Sequence, residues 1–357
     1  MPARIDAFLE LLIKQRGSDL HLVTGQPPRI RVHGQVEKIH FRELEAEDLG
    51  RMLTEILSER QRQELEQRHA IDFAYETEAL GRFRVNAYQH AHGPGVAFRS
   101  ISREIPTLEE LGIPPVVSSL IRQPSGLTIV TGPTGSGKST TLAAMIDSLN
   151  HQRRGHILTI EDPIEFRHPF HQCVVTQREV GLHAPSFAEA LRNALHEDPD
   201  VILVGEMRDL ETVGLALTAA EMGIQVLGTL HTNGAMRTID RIVNVFPTER
   251  HELVRGMLAE NLRLVMAQQL VPTATRDGRV AVREILVNNA AAASLIRSGK
   301  THQLSQVLNS GRKLGMTSMD AQLGELVRRG TITAETSQEY SLDRGRAALV
   351  GDRREVA

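Results

Sequence analysis

LTIVTGPTGSGKSTTLAAMIDSLN, residues 127–150, decides the fold. Leu127-Thr128-Ile129-Val130-Thr131 is a short apolar run of the kind a buried strand needs. The run from Ser139 to Asn150 places Leu142, Met145, Ile146 and Leu149 on one helical side. Between them, Gly132 to Ser139 fits G-x-x-x-x-G-K-[ST] at every fixed position. A glycine-rich turn could match by chance, but strand, glycine loop and helix in this order form a phosphate-binding unit. Gly132, Pro133, Thr134, Gly135, Ser136 and Gly137 would bring backbone N–H groups to phosphate oxygens, with the positive end of the helix dipole behind them. Lys138 is expected on the β/γ-phosphates, Ser139 on Mg²⁺, and Thr140 beside them in the first turn.

The alternation continues outward. Apolar runs from His156 to Ile160, Val201 to Gly205 and Val226 to Leu230 read as further strands with helices between them, which predicts an α/β unit with a mainly parallel sheet covered on both faces. Residues 1–103 read as a smaller α+β unit. It holds a helix from Ile5 to Lys14, a strand from Asp19 to Val23, a hairpin around Gly34, one long helix from Ala46 to Arg68, and strands from Ile71, Gly81 and Val96 onward. Pro106, Gly112, Pro114 and Pro115 mark 104–115 as a linker. The α/β core is expected over 116–280 and a helical part over 281–342, although Arg279 to Val287 could be a strand. A helix is expected from His251 to Leu270, and the charged 343–357 reads as a loose tail.

Ligands of open α/β sheets gather at the C-terminal ends of the strands. Three acidic or imidazole groups are expected there. TIEDPIEF (159–166) puts Glu161, Asp162 and Glu165 just past one strand, suited to Mg²⁺ or a water nucleophile, though acidic loops are common on surfaces. DPDVILVGEMRD (198–209) is an apolar strand running into Glu206, the Walker-B arrangement, with Arg208 and Asp209 next. GTLHTN (228–233) sets His231 at a third strand end, where an imidazole could report on a γ-phosphate. Phosphoryl transfer also needs a cation for the developing charge. Arg82, Arg84, Arg99 and Arg103 are the candidates for a finger supplied by a neighbouring subunit, each competing with a plain surface role.

Composition removes several classes. With 41 basic and 44 acidic residues the net charge is −3, and aromatic residues are 3% with no tryptophan, which leaves little for a nucleic-acid translocase to grip or stack with. One cysteine, Cys173, permits neither a disulfide framework nor a cysteine zinc cluster within the chain. No run approaches the length of a membrane span, and a cytoplasmic protein that meets a membrane through partners is expected.

GPTGSGKSTT, TIEDPIEF, LRNALHEDPDVILVGEMRD (191–209) and GTLHTN together resemble the secretion ATPases of type II secretion and type IV pilus systems. GSDLHL (17–22), PPRIRVHG (27–34), QREVG (177–181) and TIDRIVNVFP (238–247) make the resemblance closest to the PilT-type retraction ATPases. It covers about residues 5 to 335. The resemblance implies a PAS-like N-terminal domain, a RecA-like ATPase domain and a homohexameric ring that hydrolyses ATP with Mg²⁺. It also implies a platform protein in the inner membrane as partner, a pilin fibre as indirect load, and no nucleic acid. Carried over by motif, Lys138 and Ser139 are Walker A, Glu206 is the Walker-B acid and metal ligand, Glu165 the catalytic carboxylate and His231 the histidine-box residue. Arg84 and Arg99 match arginines that approach the nucleotide. An assembly ATPase is the nearest alternative. Those relatives generally carry longer N-terminal regions and a four-cysteine zinc element, against which the single cysteine and compact N-terminus speak. One departure stands out: where retraction ATPases usually read AIRNLIRE, residues 291–298 read AAASLIRS, keeping the first Ala and the central Leu295-Ile296-Arg297. That change bears on coupling to pilus disassembly, not on hydrolysis.

Overall fold

The computed structural model describes residues 3–32, 34–101 and 104–342. Arg103 and the tail 343–357 lie outside the described residues. The chain forms two compact units, one of Met1–Glu104 with Pro163–Phe166, the other of Ile105–Asp162 with the remainder.

The first unit contains α1 (Asp6–Lys14), β1 (Asp19–Val23), β2 (Arg29–Val32), β3 (Gln35–Lys38), α2 (Ala46–Ile56), α3 (Glu59–Arg68), β4 (Ala70–Thr77), β5 (Gly81–His90) and β6 (Gly93–Ile101). Its sheet is antiparallel in the order β3-β2-β1-β6-β5-β4. Strand β5 alternates: Phe83, Val85 and Ala87 are buried, while Arg82, Arg84 and Asn86 take the other face. Phe83 and Phe98 meet edge to face at the centre of the core. The single helix expected from Ala46 to Arg68 is two. Leu57 turns extended and is buried, and Ser58 starts a new helix with a reciprocal cap to Gln61. Serine followed three residues on by glutamine is a capping signature that overrides the continuous apolar spacing.

The second unit contains α4 (Pro115–Ile121), β7 (Gly126–Thr131), α5 (Lys138–Gln152), β8 (His156–Glu161), β9 (Val174–Glu179), α6 (Phe187–Ala194), β10 (Val201–Val204), α7 (Leu210–Glu221), β11 (Gln225–Leu230), α8 (Ala235–Asn244), α9 (His251–Asn261), β12 (Leu262–Pro272), β13 (Arg279–Val287), α10 (Ala290–Arg297), α11 (Leu304–Ser310), α12 (Met319–Arg328) and α13 (Ala334–Tyr340). The sheet order is β13-β12-β7-β11-β10-β8-β9, with every pairing parallel except β12 with β13. Alternate residues of each central strand enter different cores. Ile202 and Val204 pack with residues of α6, α7 and α8, whereas Val201 and Leu203 pack with residues of α4 and α5. Covering both faces is what makes these strands apolar throughout.

Three expectations need correction. The helix expected from His251 to Leu270 stops at Asn261, and Leu262–Pro272 is a strand between β7 and β13. A continuous apolar run does not distinguish buried helix from buried strand, and here the edge of β7 supplies the ladder. The boundary expected at 280/281 falls inside β13, so the sheet runs on to Val287. The segment 104–115 is not a free linker, because Leu108 and Ile113 are buried in the core formed with α4 and α5. Replacing Ser58 by Ala removes the cap of α3 and is expected to destabilise the protein by about 1 kcal/mol, read by chemical denaturation.

Candidate functional site

Strand β7 is buried along its whole length and delivers the chain to the glycine loop. Gly132 has φ +147, and a Cβ there would lie 2.1 Å from the Gln268 carbonyl oxygen. Gly137 has φ +86, and its Cβ would stand 2.8 Å from Gln268 Nε2. No side chain fits at either position. Lys138, buried as the first residue of α5, donates from Nζ to the Gly132 and Pro133 carbonyls at 2.9 and 3.0 Å. The ammonium is thus aimed back across the loop. Ser136 Oγ is buried with no hydrogen-bond partner, an arrangement that costs free energy until an acceptor arrives. A phosphate oxygen would supply one, so the loop fits a nucleotide. Pro133, Thr134, Gly135 and Ser139 are exposed and Thr140 is half-buried around it.

Neighbouring strands β10 and β11 end side by side, Val204 level with Gly228. Glu206 follows one and His231 the other, with His231 Nε2 3.1 Å from Glu206 Oε1. Arg208 Nε is hydrogen-bonded to the same oxygen. Burial pulls the Glu206 pKa up, but Arg208 and His231 outweigh it and hold the group below the usual carboxylate range. Glu206 is therefore an anion at neutral pH. The hydrogen bond to Glu206 raises the Arg208 pKa in turn. Asp209 caps α7 through the Thr212 N–H and hydroxyl, which gives it a structural task. The loop after His231 is joined to the base of the phosphate loop: Thr131 Oγ1 accepts the Thr232 N–H at 3.0 Å, and Thr232 Oγ1 lies 2.7 Å from Thr238 Oγ1 in α8.

The acidic segment divides. Glu161 stays with the sheet, accepting from Thr159 Oγ1 at 2.7 Å and Gln177 Nε2 at 3.2 Å. Asp162 acts electrostatically on Arg208. Glu165 belongs to the first unit, where Arg84 Nη1 is 3.6 Å from its carboxylate and Arg82 Nε donates to the Ile164 carbonyl at 2.8 Å. Arg84 and Arg99 are direct partners across β5 and β6. Two cations so placed repel unless carboxylates separate them. Asp72 (3.9 Å) and Glu165 serve Arg84, and Asp19 serves Arg99 at 2.8 Å. The structure thus gathers Gly132 to Thr140 in one loop, Glu206 with His231, and Glu165 with Arg84, while Arg99 is engaged by Asp19.

Sequence reasoning missed Gln268, Arg283 and Glu284. Gln268 is buried on β12. Its Nε2 donates to the Ser136 carbonyl at 2.6 Å, and its Oε1 accepts from Thr141 Oγ1 at 3.1 Å and Arg283 Nε at 2.8 Å. Burial lowers the Arg283 pKa to about 10. Glu284, its pKa raised by burial, accepts the N–H groups of Ala235 and Met319 at the starts of α8 and α12. Polar Gln268 and Gln269 inside an apolar run were the available signal.

The type II/IV secretion system protein family matches residues 2–351. The "Twitching motility protein" of Neisseria gonorrhoeae is 50% identical over 311 residues, covering 87% of this chain and 83% of its own. The "Type IV pilus retractation ATPase PilT" of Pseudomonas aeruginosa is 49% identical over 335 residues, covering 94% and 97%. Among solved structures, the pilus retraction motor PilT with bound ADP superposes with a TM-score of 0.88 at 42% identity, covering 97% of this chain and 99% of that one. With a family match from residue 2 to 351 and relatives of this identity and coverage, the chain belongs to the type II/IV secretion system protein family of ATPases.

Proposed function

We propose that this chain is an ATP-hydrolysing motor that retracts type IV pili. The observation that carries the reading is a complete phosphate loop on β7 together with the Glu206–His231 pair at the ends of β10 and β11. Lys138 exchanges the Gly132 and Pro133 carbonyls for β/γ-phosphate oxygens, and Ser136 Oγ gains its acceptor. Ser139 and Glu206 offer a hydroxyl and an ionised carboxylate, the hard oxygen ligands that suit Mg²⁺. Held by these two groups, Mg²⁺ would supply positive charge to offset that of the phosphates. Glu165 orients the attacking water and takes its proton. Arg84 and Arg99, supplied to a neighbouring protomer's nucleotide, stabilise the transition-state charge. His231 senses the change at Glu206 through their hydrogen bond. Arginines acting in trans make a homohexameric ring the working form, docked at the cytoplasmic face on an inner-membrane platform protein and extracting pilins from the fibre. Among the described residues no helix is long and apolar enough to cross a membrane.

The divergent 291–298 stretch lies on α10. Ala292 and Ile296 are buried, whereas Ser294, Arg297 and Ser298 are exposed. The departures from AIRNLIRE at 294 and 298 therefore alter what the helix presents, whereas the Ala at 292 in place of Ile is buried and alters how it packs. The assembly-motor reading remains the competitor. Deleting the gene separates them: excess surface pili without twitching support retraction, and bald cells support assembly.

Three further outcomes are expected. Glu165→Gln retains ATP binding but loses about 10²–10⁴-fold in turnover, measured by phosphate release beside nucleotide titration; full-rate hydrolysis by this variant sinks the base assignment. Gln268→Ala leaves Arg283 and the Ser136 carbonyl without their partner, so calorimetry should show a loss of about 1–3 kcal/mol of stability, with the KM for ATP raised. Restoring Ala293→Arg, Ser294→Asn and Ser298→Glu together should leave the ATPase rate of the purified protein unchanged while altering retraction force or frequency in cells. A changed ATPase rate instead would put the stretch in the hydrolytic machinery.

A further inference from the structure

On α5, well beyond the phosphate loop with which the helix begins, Asp147 and His151 stand one turn apart on the same face. His151 Nδ1 is 2.9 Å from the Asp147 carbonyl oxygen and 3.3 Å from Oδ2 of its carboxylate. A carbonyl only accepts, so Nδ1 carries the proton and Nε2 carries the lone pair. His171 comes from the segment that follows Arg167, and its ring lies 3.9 Å from that of His151, tilted by 34°. One ligand atom from each of Asp147, His151 and His171 falls within 4.8 Å of the others. The segment is held against α5 by Asn150, whose side chain donates to the Pro169 carbonyl at 2.6 Å and accepts the Cys173 N–H at 3.3 Å. His168, within electrostatic reach of Asp147, is buried, and its Nδ1 has no hydrogen-bond partner.

We propose that Asp147, His151 and His171 bind a borderline divalent cation of the Zn²⁺ class. Two imidazoles and a carboxylate with an open coordination position are the donor set for such an ion, whereas Mg²⁺ prefers oxygen alone. The bond from His151 to a main-chain carbonyl is the supporting contact that metal-ligating histidines generally make. Among the described residues no other group of three His, Cys, Asp or Glu side chains converges in this way. The site is distinct from a four-cysteine zinc element: Cys173 is the one cysteine, and its thiol is buried against the Leu149 and Arg153 carbonyls. A cation here would pin the segment from Arg167 to Cys173, which continues directly from the acidic stretch ending at Phe166, onto the helix that starts at Lys138.

The test is equilibrium dialysis of the full chain against Zn²⁺ with Mg²⁺ in excess and no nucleotide, with bound metal counted by mass spectrometry. Wild type should retain one equivalent that His151→Ala and His171→Ala each lose, while Cys173→Ala and Glu206→Ala keep it. Cobalt(II) should give a visible absorption band in wild type that is absent from His171→Ala. Circular dichroism of each variant checks that it is folded. Wild type without bound zinc overturns the proposal, as does a folded His171→Ala that keeps its equivalent, or metal that follows Cys173 or Glu206.

Discussion

The close approach of the phosphate loop to β12 is the constraint on which the second unit depends. Gly132 and Gly137 both sit where a Cβ would strike Gln268, so the loop can lie against that strand only as glycine. In return, Gln268 takes hold of the loop at Ser136 and of the first turn of α5 at Thr141. A phosphate site needs its amides and its lysine fixed before the ligand arrives, because ordering them on binding would subtract from affinity. Here one buried amide side chain provides much of that order. It can do so because β12 is a strand beside β7 and not the continuation of α9.

Electrostatics then sets what the site can accept. Glu206 would favour its neutral form by burial alone, yet Arg208 and His231 keep it charged. A carboxylate held ionised at a rigid strand end can meet a cation without first losing a proton. Arg208 is mostly exposed, so its contribution is screened by solvent and is smaller than the short contact suggests. The half-exposed His231 reaches the same oxygen from the neighbouring strand, so movement of either strand end changes the field at the other.

Much of this was legible from residues alone. The glycine loop, the strand into Glu206 and the strand into His231 each carry a local pattern, and parallel strands buried on both faces announce themselves as apolar runs. Two kinds of feature were hidden. Strand β9 has a largely polar face and sits at the sheet edge, so Val174–Glu179 lacks the alternation that marks a strand. Strand β12 has the opposite problem: its apolar run satisfies helix and strand templates equally, and only the unpaired edge of β7 decides. Gln268 stands out as a polar residue in that run, but its meeting with Arg283 depends on the register between β12 and β13 and could not be read from either segment alone. The division of the acidic stretch, with Glu161 held at the sheet and Glu165 beside Arg84, likewise depends on contacts far apart in sequence.

Register also explains why the C-terminal strand pair matters beyond sheet closure. Arg283 and Glu284 are consecutive on β13 and so face opposite sides of the sheet. Arg283 reaches Gln268 and through it the phosphate loop; Glu284 receives the first amides of α8 and α12. Both side chains are buried, and both are satisfied by groups of other elements, Arg283 by Gln268 and Glu284 by two main-chain N–H groups. Removing Gln268 would leave the Arg283 guanidinium stranded in the core, and displacing α8 or α12 would leave the Glu284 carboxyl without its donors, so the arrangement of loop, α8 and α12 around β13 is strongly specified. The helix α8 is in turn tied through Thr238 and Thr232 to Thr131, the residue at which β7 hands the chain to Gly132. The phosphate loop is therefore bound from two sides, by β12 above its glycines and by the histidine loop at its base, and the second attachment leads through Thr232 and Thr238 to α8, whose first amide Glu284 receives.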